Sequence, residues 1–330
     1  MTTRFDVLTI GNAIVDIIAQ AEDDFLVREG IVKGAMNLID TDRAEHLYAV
    51  MGPAIEASGG SAANTAAGIA SLGGRAAYFG KVADDPLGTI FAHDIRASGV
   101  HYATRPLNGH PPTARSMIFV TPDGERSMNT YLGACVELGP DDIDEAVVAQ
   151  SKVTFFEGYL WDPPRAKDAI RLAAKTAHAH GRNFSMTLSD PFCVDRYRDE
   201  FLELMRSRTV DIVFANEAEL KSLYQTAAFE AALEALRVDC AIGIVTRSEK
   251  GCVVVTREET HAVPAHPIEK LVDTTGAGDL FAAGFLFGLT NGRDLPDCAR
   301  IGAMAAALVI QQVGPRPREP LRAVLAEEGL

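Results

Sequence analysis

A basic excess is the first thing this sequence lacks. Its 31 Lys and Arg residues stand against 45 Asp and Glu, a formal net charge of -14 at pH 7. Broad electrostatic binding to nucleic acid or to an anionic membrane is thereby disfavoured, because there is no cationic surplus to release counterions. A small anion held locally by backbone dipoles stays allowed. Paired cysteines are missing too. Cys135, Cys193, Cys240, Cys252 and Cys298 are odd in number, scattered, and nowhere spaced Cys-x-x-Cys. They read as reduced thiols of a cytoplasmic protein rather than as a disulfide or zinc framework. Met1 to Ile10 carries Arg4 and Asp6 and no long apolar run, so neither a signal peptide nor a membrane span is expected. Familiar catalytic signatures are absent as well. Without Gly-x-x-x-x-Gly-Lys-Ser/Thr the chain is not a P-loop enzyme. Without Gly-x-Gly-x-x-Gly after the first β-rich run, a nicotinamide-dependent dehydrogenase is weakened. No Gly-x-Ser-x-Gly elbow points to a hydrolase. His178 and His180, two apart on an expected helix, point to different faces and make a poor metal pair.

What is present is a chain of 330 residues, 47% hydrophobic, enough for one large α/β domain with a sizeable core. Phe5 to Ile10 is β-rich and ends at Gly11-Asn12, with Asp16 just beyond. Ala76 to Val82 reads as a strand and Gly88 to Ser98 as a helix. From about Lys152 the rhythm is regular: Val153–Phe156, Asn183–Leu188, Ile212–Ala215 and Ile242–Thr246 are short apolar runs separated by helical patterns such as Pro164–His180. That spacing predicts successive βαβ units and a doubly wound, mostly parallel central sheet flanked by helices. Cys252–Thr256 adds a strand, and Arg300–Gln311 an alanine-rich helix. Two stretches fall outside the rhythm. Met36–Asp40 is a short apolar run, and Ala114–Val120 with Arg126–Leu132 flanks a Pro-Asp-Gly turn, predicting a hairpin. Together they suggest a small accessory β-sheet acting as a lid. The expectation is a single domain over 1–330 with a discontinuous β lid at about 13–40 and 103–133.

Two small-residue stretches carry the chemistry. In Asp273-Thr274-Thr275-Gly276-Ala277-Gly278-Asp279 a glycine-flanked turn opens an apolar helix. Unpaired amides and the positive end of the dipole favour an anion there. Asp279 reads either as the helix cap or as a base that takes a proton from an attacking hydroxyl. In Gly59-Gly60-Ser61-Ala62-Ala63-Asn64 the glycines leave backbone open, and Asn64 is the side chain long enough to fork two hydrogen bonds. Asn12 and Asp16 lie beyond a strand end, where open α/β sheets bind ligands. Asn216 and Glu219 follow another strand and read either as a solvated helix start or as oxygen ligands near Mg²⁺.

On these residues the sequence resembles the phosphofructokinase-B-type (ribokinase-like) family of carbohydrate and nucleoside kinases over nearly its whole length. Its anchors are Gly59-Gly60-Ser61-Ala62-Ala63-Asn64 and Asp273 to Asp279. The resemblance implies a ribokinase-like central sheet, a β lid over the acceptor, and ATP in a shallow groove on the C-terminal half. It implies that Asp279 is the base for the acceptor hydroxyl, and that Gly276, Ala277 and Gly278 form the anion hole. Arg126 would reach over the phosphoryl group from the lid. Asn12, Asp16, Gly60, Ser61, Asn64 and Tyr159 would face the acceptor. Asn216 and Glu219 match an Asn-x-x-Glu motif that supports Mg²⁺, with Glu219 acting through water. Thr246, Ser248 and Gly251 lie in the loop that holds the nucleotide. Asp273 and Thr275 would contribute to a site for a monovalent cation such as K⁺. The stretches Asp211–Glu217, Thr187–Phe192 and Gly124–Ser127 resemble adenosine kinases of the family more than sugar kinases. Asn12 with Asp16 suits a ribose, and Tyr131, Phe156, Tyr159 and Trp161 could offer an aromatic surface to a purine. Thr187 stands where the family commonly has asparagine. A sugar kinase acting on ribose or fructose, and a nucleoside- or sugar-binding regulator without catalysis, stay open as alternatives. No nucleic-acid or membrane partner is expected, and monomer and homodimer are both open.

Overall fold

In the computed structural model, residues 3–330 are described. Nine strands form the central sheet, in the spatial order Thr260–Val263, Cys252–Thr256, Ile242–Thr246, Ile212–Asn216, Asn183–Thr187, Ser151–Glu157, Phe5–Ile10, Ala76–Phe79 and His101–Tyr102. All pairings are parallel except the two that join Cys252–Thr256 to its neighbours. The strand runs are apolar almost throughout because both faces are covered, as Phe5–Ile10 illustrates with every residue buried. Alternation then sorts the side chains between two cores. Leu8, Phe156, Val213 and Val245 belong to one; Val7, Phe155, Phe214 and Ile244 belong to the other.

A second sheet of five strands runs in the order Met36–Leu38, Arg126–Tyr131, Ala114–Val120, Ile14–Gln20 and Ala54–Ser58. The expected hairpin is there, with Ala114–Val120 antiparallel to Arg126–Tyr131. Ile14–Ala19 alternates between half-buried and buried positions, and Gln20 is exposed. Ile17 on its inner face packs with Leu26, Leu47, Met117 and Phe119 in a small core of their own. Ala54–Ser58 lies outside the ranges expected for the lid. Its first three residues are exposed, so no apolar alternation betrays it in the sequence; its backbone pairing with Ile14–Gln20 holds it.

Several sequence-expected elements shift by a few residues. The helix expected over Gly88–Ser98 spans Pro86–Ala97, with Asp85 accepting from the Gly88 amide as its cap. The helix expected over Arg300–Gln311 spans Leu295–Val309, capped by Asp294. The parallel topology gathers the strand ends at Ile10, Glu157, Thr187, Asn216 and Thr246 along one edge. No helix among the described residues is long and apolar enough to cross a membrane.

Candidate active site

At that edge two helices lie side by side with their N-termini together. Ser61–Ser71 starts behind Gly60, whose φ of 88° suits glycine and whose hypothetical Cβ would lie 2.2 Å from the Asn12 carbonyl oxygen. Ala277–Thr290 starts behind Gly276, in the left-handed region at φ 81°. A Cβ there would meet the Pro315 carbonyl at 2.7 Å. Both turns therefore demand glycine, and both present first-turn amides toward the same region. The Ala277 amide donates to the Thr274 carbonyl at 3.2 Å. Open space surrounds the Gly278 Cβ position, with nothing within 4 Å.

Asp279 is where the two helices join. Its Oδ1 accepts from the Ser61 hydroxyl at 2.6 Å and its Oδ2 from the Asn64 amide at 2.9 Å. Thr65 Oγ1 adds a bond to the Asp279 carbonyl at 3.2 Å. Burial pushes the Asp279 carboxyl up from its ordinary range, against the lowering pull of Ser61, Asn64 and the Arg316 guanidinium. Asp279 thus sits within the first turn rather than at the cap, a position held by Gly276. Asp16 stands beside the same cluster: a Cβ on Gly59 would come within 2.4 Å of its Oδ2. Burial raises its pKa to about 7, countered by Arg316 and Arg126, while Asp279 adds to the rise.

The Gly276 turn is braced by its neighbours. Asp273 accepts from the Thr275 amide and the Gly314 amide, each at 2.9 Å, and pairs with Arg126, which reaches across from the second sheet. Arg126 Nη1 is buried and has no hydrogen-bond partner among the described residues. A guanidinium with one nitrogen neutralised and another unsatisfied, beside a helix N-terminus, is suited to an anion.

Two residues that sequence reasoning missed complete the arrangement. Glu157 is 1% exposed, and its carboxylate accepts from the Asn12 amide at 2.9 Å and the Ala62 amide at 2.7 Å. It thereby ties the Asn12 turn to the start of the Ser61 helix, and burial raises its pKa to about 7. The signal available was its position at the end of a strand leading to the ligand edge. Arg316 donates from Nε to Asn64 Oδ1 at 3.1 Å and from Nη2 to the Gly59 carbonyl at 3.2 Å. Its place in a Gly-Pro-Arg-Pro segment was the only hint.

The remaining expected residues form a separate group. Asn216 and Glu219 make a reciprocal capping box: Glu219 Oε2 accepts from the Asn216 amide at 2.9 Å, and Asn216 Oδ1 from the Glu219 amide at 2.8 Å. Asn216 Nδ2 also reaches Glu219 Oε1 at 2.6 Å. Both Glu219 oxygens are thus engaged, and burial lifts its pKa to about 7. Thr246 is the register partner of Asn216 on the next strand. Ser248 and Gly251 follow in a tight turn, both with positive φ, and Arg247 between Thr246 and Ser248 pairs with Glu217 at 2.9 Å. Tyr159 directs its hydroxyl to the Ser189 carbonyl at 3.3 Å. Of the aromatic residues considered for a purine, Phe156 and Trp161 are fully buried in the core and face no ligand; Tyr131 and Tyr159 are half-buried.

The sequence model of the pfkB family of carbohydrate kinases matches residues 49–322. Adenosine kinase of Saccharomyces cerevisiae is 28% identical, covering 93% of this chain and 95% of that protein. A crystal structure of adenosine kinase from Sinorhizobium meliloti is 69% identical with a TM-score of 0.94, covering 99% of this chain and 100% of that one. A crystal structure of a probable sugar kinase from Rhizobium etli is 65% identical with a TM-score of 0.96, covering 99% of each chain.

Proposed function

This chain belongs to the pfkB family of carbohydrate kinases, phosphotransferases that act on an alcohol group, and from that premise we propose that it phosphorylates the 5'-hydroxyl of adenosine with ATP, yielding AMP. The observation that carries this reading is the grip of Ser61 and Asn64 on Asp279 at the mouth of the Gly276 turn. The likeness to the Sinorhizobium meliloti adenosine kinase supports the acceptor. The Rhizobium etli relative favours a second reading, a sugar kinase on the same site.

In the proposed reaction the acceptor oxygen attacks the γ-phosphorus as its proton passes to Asp279, and the bond from phosphorus to the leaving ADP oxygen breaks. Phosphoryl transfer depends mainly on alignment and on stabilising charge at the equatorial oxygens. Ser61 and Asn64 fix the carboxylate. The Gly276 and Gly278 amides, the Ala277 amide once it turns from the Thr274 carbonyl, and the unsatisfied Arg126 nitrogen meet the charge. Asp16 accepts from ribose hydroxyls, and two such donors favour its ionised form despite its raised pKa. Asn12, Gly60 and Tyr159 complete the acceptor side, and Thr246, Ser248 and Gly251 the nucleotide side. The second sheet acts as the lid.

Mg²⁺ accompanying ATP would neutralise phosphate charge. Among the described residues no group of three His, Cys, Asp or Glu is placed to hold a metal, and Glu219 has both oxygens engaged. The residues therefore fit an ion held mainly by phosphate oxygens and water, with Glu219 ordering Asn216. A K⁺ ion would draw on Asp273 and Thr275, and Asp273 Oδ1, which has the Thr275 amide as its one donor, keeps a lone pair for it. The reading places the protein in the cytoplasm, where ATP is supplied and its five free, buried cysteines stay reduced.

A coupled ADP-release assay with adenosine, inosine, cytidine, ribose and fructose tests the acceptor. Adenosine is expected to give the highest kcat/KM. Turnover on a free sugar with none on any nucleoside would establish the sugar kinase instead, and tight nucleoside binding without any turnover would establish a non-catalytic regulator.

A further inference from the structure

The segment from Gln312 to Arg318 straps the two halves of the site together. Gly314 donates to Asp273 beneath the anion turn. Pro315 closes against Gly276. Gln312 donates to the Arg316 carbonyl at 2.6 Å and so shapes the bend that aims the arginine inward. Arg316 then reaches the other helix, at Asn64 and Gly59. A carboxamide has two nearly isosteric ends, and its orientation follows from its partners. Guanidinium carries donors only, so the end of Asn64 facing Arg316 must be Oδ1. The Nδ2 group is then left for Asp279. An Asn64 turned the other way would set Oδ1 against the Asp279 carboxylate, two acceptors in conflict.

We propose that Arg316 is a positioning residue of the phosphotransfer site, fixing the Asn64 amide so that Nδ2 holds Asp279 in line with the acceptor hydroxyl. The proposal rests on the reading of Asp279 as the base. Arg316 acts through Asn64 and need touch no substrate. Its charge has a second consequence. The groups facing Asp279 are Ser61 and Asn64 from one helix, Arg316 from the strap, and the carboxylates of Asp16 and Glu157 from the two sheets. Asp273, in the same turn, is already matched by Arg126. Arg316 is therefore the cation that acts on Asp279 in a site rich in acids, and its loss raises the pH at which Asp279 becomes a competent base.

The test uses the intact protein with ATP and the acceptor that the wild type turns over fastest, in Arg316→Gln, Arg316→Lys, Asn64→Ala and the double variant Arg316→Gln with Asn64→Ala. Arg316→Gln is expected to lower kcat by roughly 10- to 100-fold with a smaller change in KM, since alignment rather than binding is lost. Its acid limb in kcat against pH should move upward, and Arg316→Lys should return that limb toward wild type. On the high-pH plateau of kcat, where the charge effect on Asp279 no longer counts, the double variant should be no slower than Asn64→Ala alone to within about twofold, as expected when one residue acts through the other. Full multiplication of the two single losses, or a loss equal at every pH and not relieved by lysine, would overturn the proposal. If Arg316→Gln does not fold, the same coupling is read with Arg316→Met, which keeps the apolar stem and removes both the donors and the charge. Failure of the base reading itself would show separately, as an Asp279→Asn variant with near-normal kcat.

Discussion

Gly68→Ala separates the account's packing from its chemistry. Gly68 lies on the helix that carries Ser61 and Asn64, and a Cβ there would come within 2.6 Å of Leu280 Cδ1 and 2.7 Å of Ala283 Cβ. The leucine methyl can swing away. Ala283 Cβ cannot move without its helix. Ordinary contact begins at 3.4 Å, so the helices must part by about 0.7 Å. The bonds from Ser61 and Asn64 to Asp279, 2.6 and 2.9 Å now, would be stretched toward or past the limit of a useful hydrogen bond. In stability the change is modest. Overpacking costs about 1–3 kcal/mol, and alanine in place of a helical glycine returns about 1 kcal/mol. Catalysis is more sensitive, because a misplacement of about 1 Å can cost ~100-fold. Gly68→Ala is thus expected to lower kcat by roughly 10- to 100-fold while Tm falls by no more than about 4 °C. ADP-release kinetics beside a thermal melt would check both. A kcat within about twofold of wild type would refute the claim that catalysis depends on this close approach.

The pH dependence of folding tests Glu157. Its folded pKa is raised from 4.5 to about 7, so its contribution is fully present below pH 4.5 and is lost as pH rises to about 7, a loss of roughly 3 kcal/mol. Glu157→Gln should flatten the fall of stability over that window; an unchanged slope in denaturant melts at pH 5 and pH 7.5 would show that Glu157 ionises normally. Asn216→Ala removes the cap and one donor to Glu219, so stability should drop by about 1–2 kcal/mol, which urea titration measures. Gly60→Ala would force a residue at φ 88° against the Asn12 carbonyl. A rise in acceptor KM of at least about tenfold is expected, and an unchanged KM would mean that this turn does not shape the acceptor side.

Much of the fold was legible because the central strands are buried on both faces and read as continuous apolar runs at βαβ spacing. Ala54–Ser58 was not, since an edge strand whose first three residues are exposed carries no pattern and is held by backbone pairing and the Ser58 bond to Asp94. Asp279 with Asn64 and Ser61 stood out through the glycines that flank them. The contact that joins them spans more than 200 residues, and no local pattern encodes such a pairing. Glu157 and Arg316 escaped for the same reason: a carboxylate ending a strand and an arginine between prolines become informative only once the Asn12 and Gly59 backbones and the Asn64 side chain are brought to them. At Asn216 and Glu219 the local reading placed a helix start correctly but expected it solvated, whereas Glu219 is 5% exposed and closes a capping box with Asn216.

Asp279→Asn is the most direct measurement of the central claim. Asparagine keeps the shape of the side chain and one acceptor, so binding of adenosine and ATP should be largely retained. Removing the base should lower the single-turnover rate by ~100-fold or more. A variant that binds both substrates and transfers phosphate at near the wild-type rate would contradict the account and leave Asp279 as a residue that only holds two helices together.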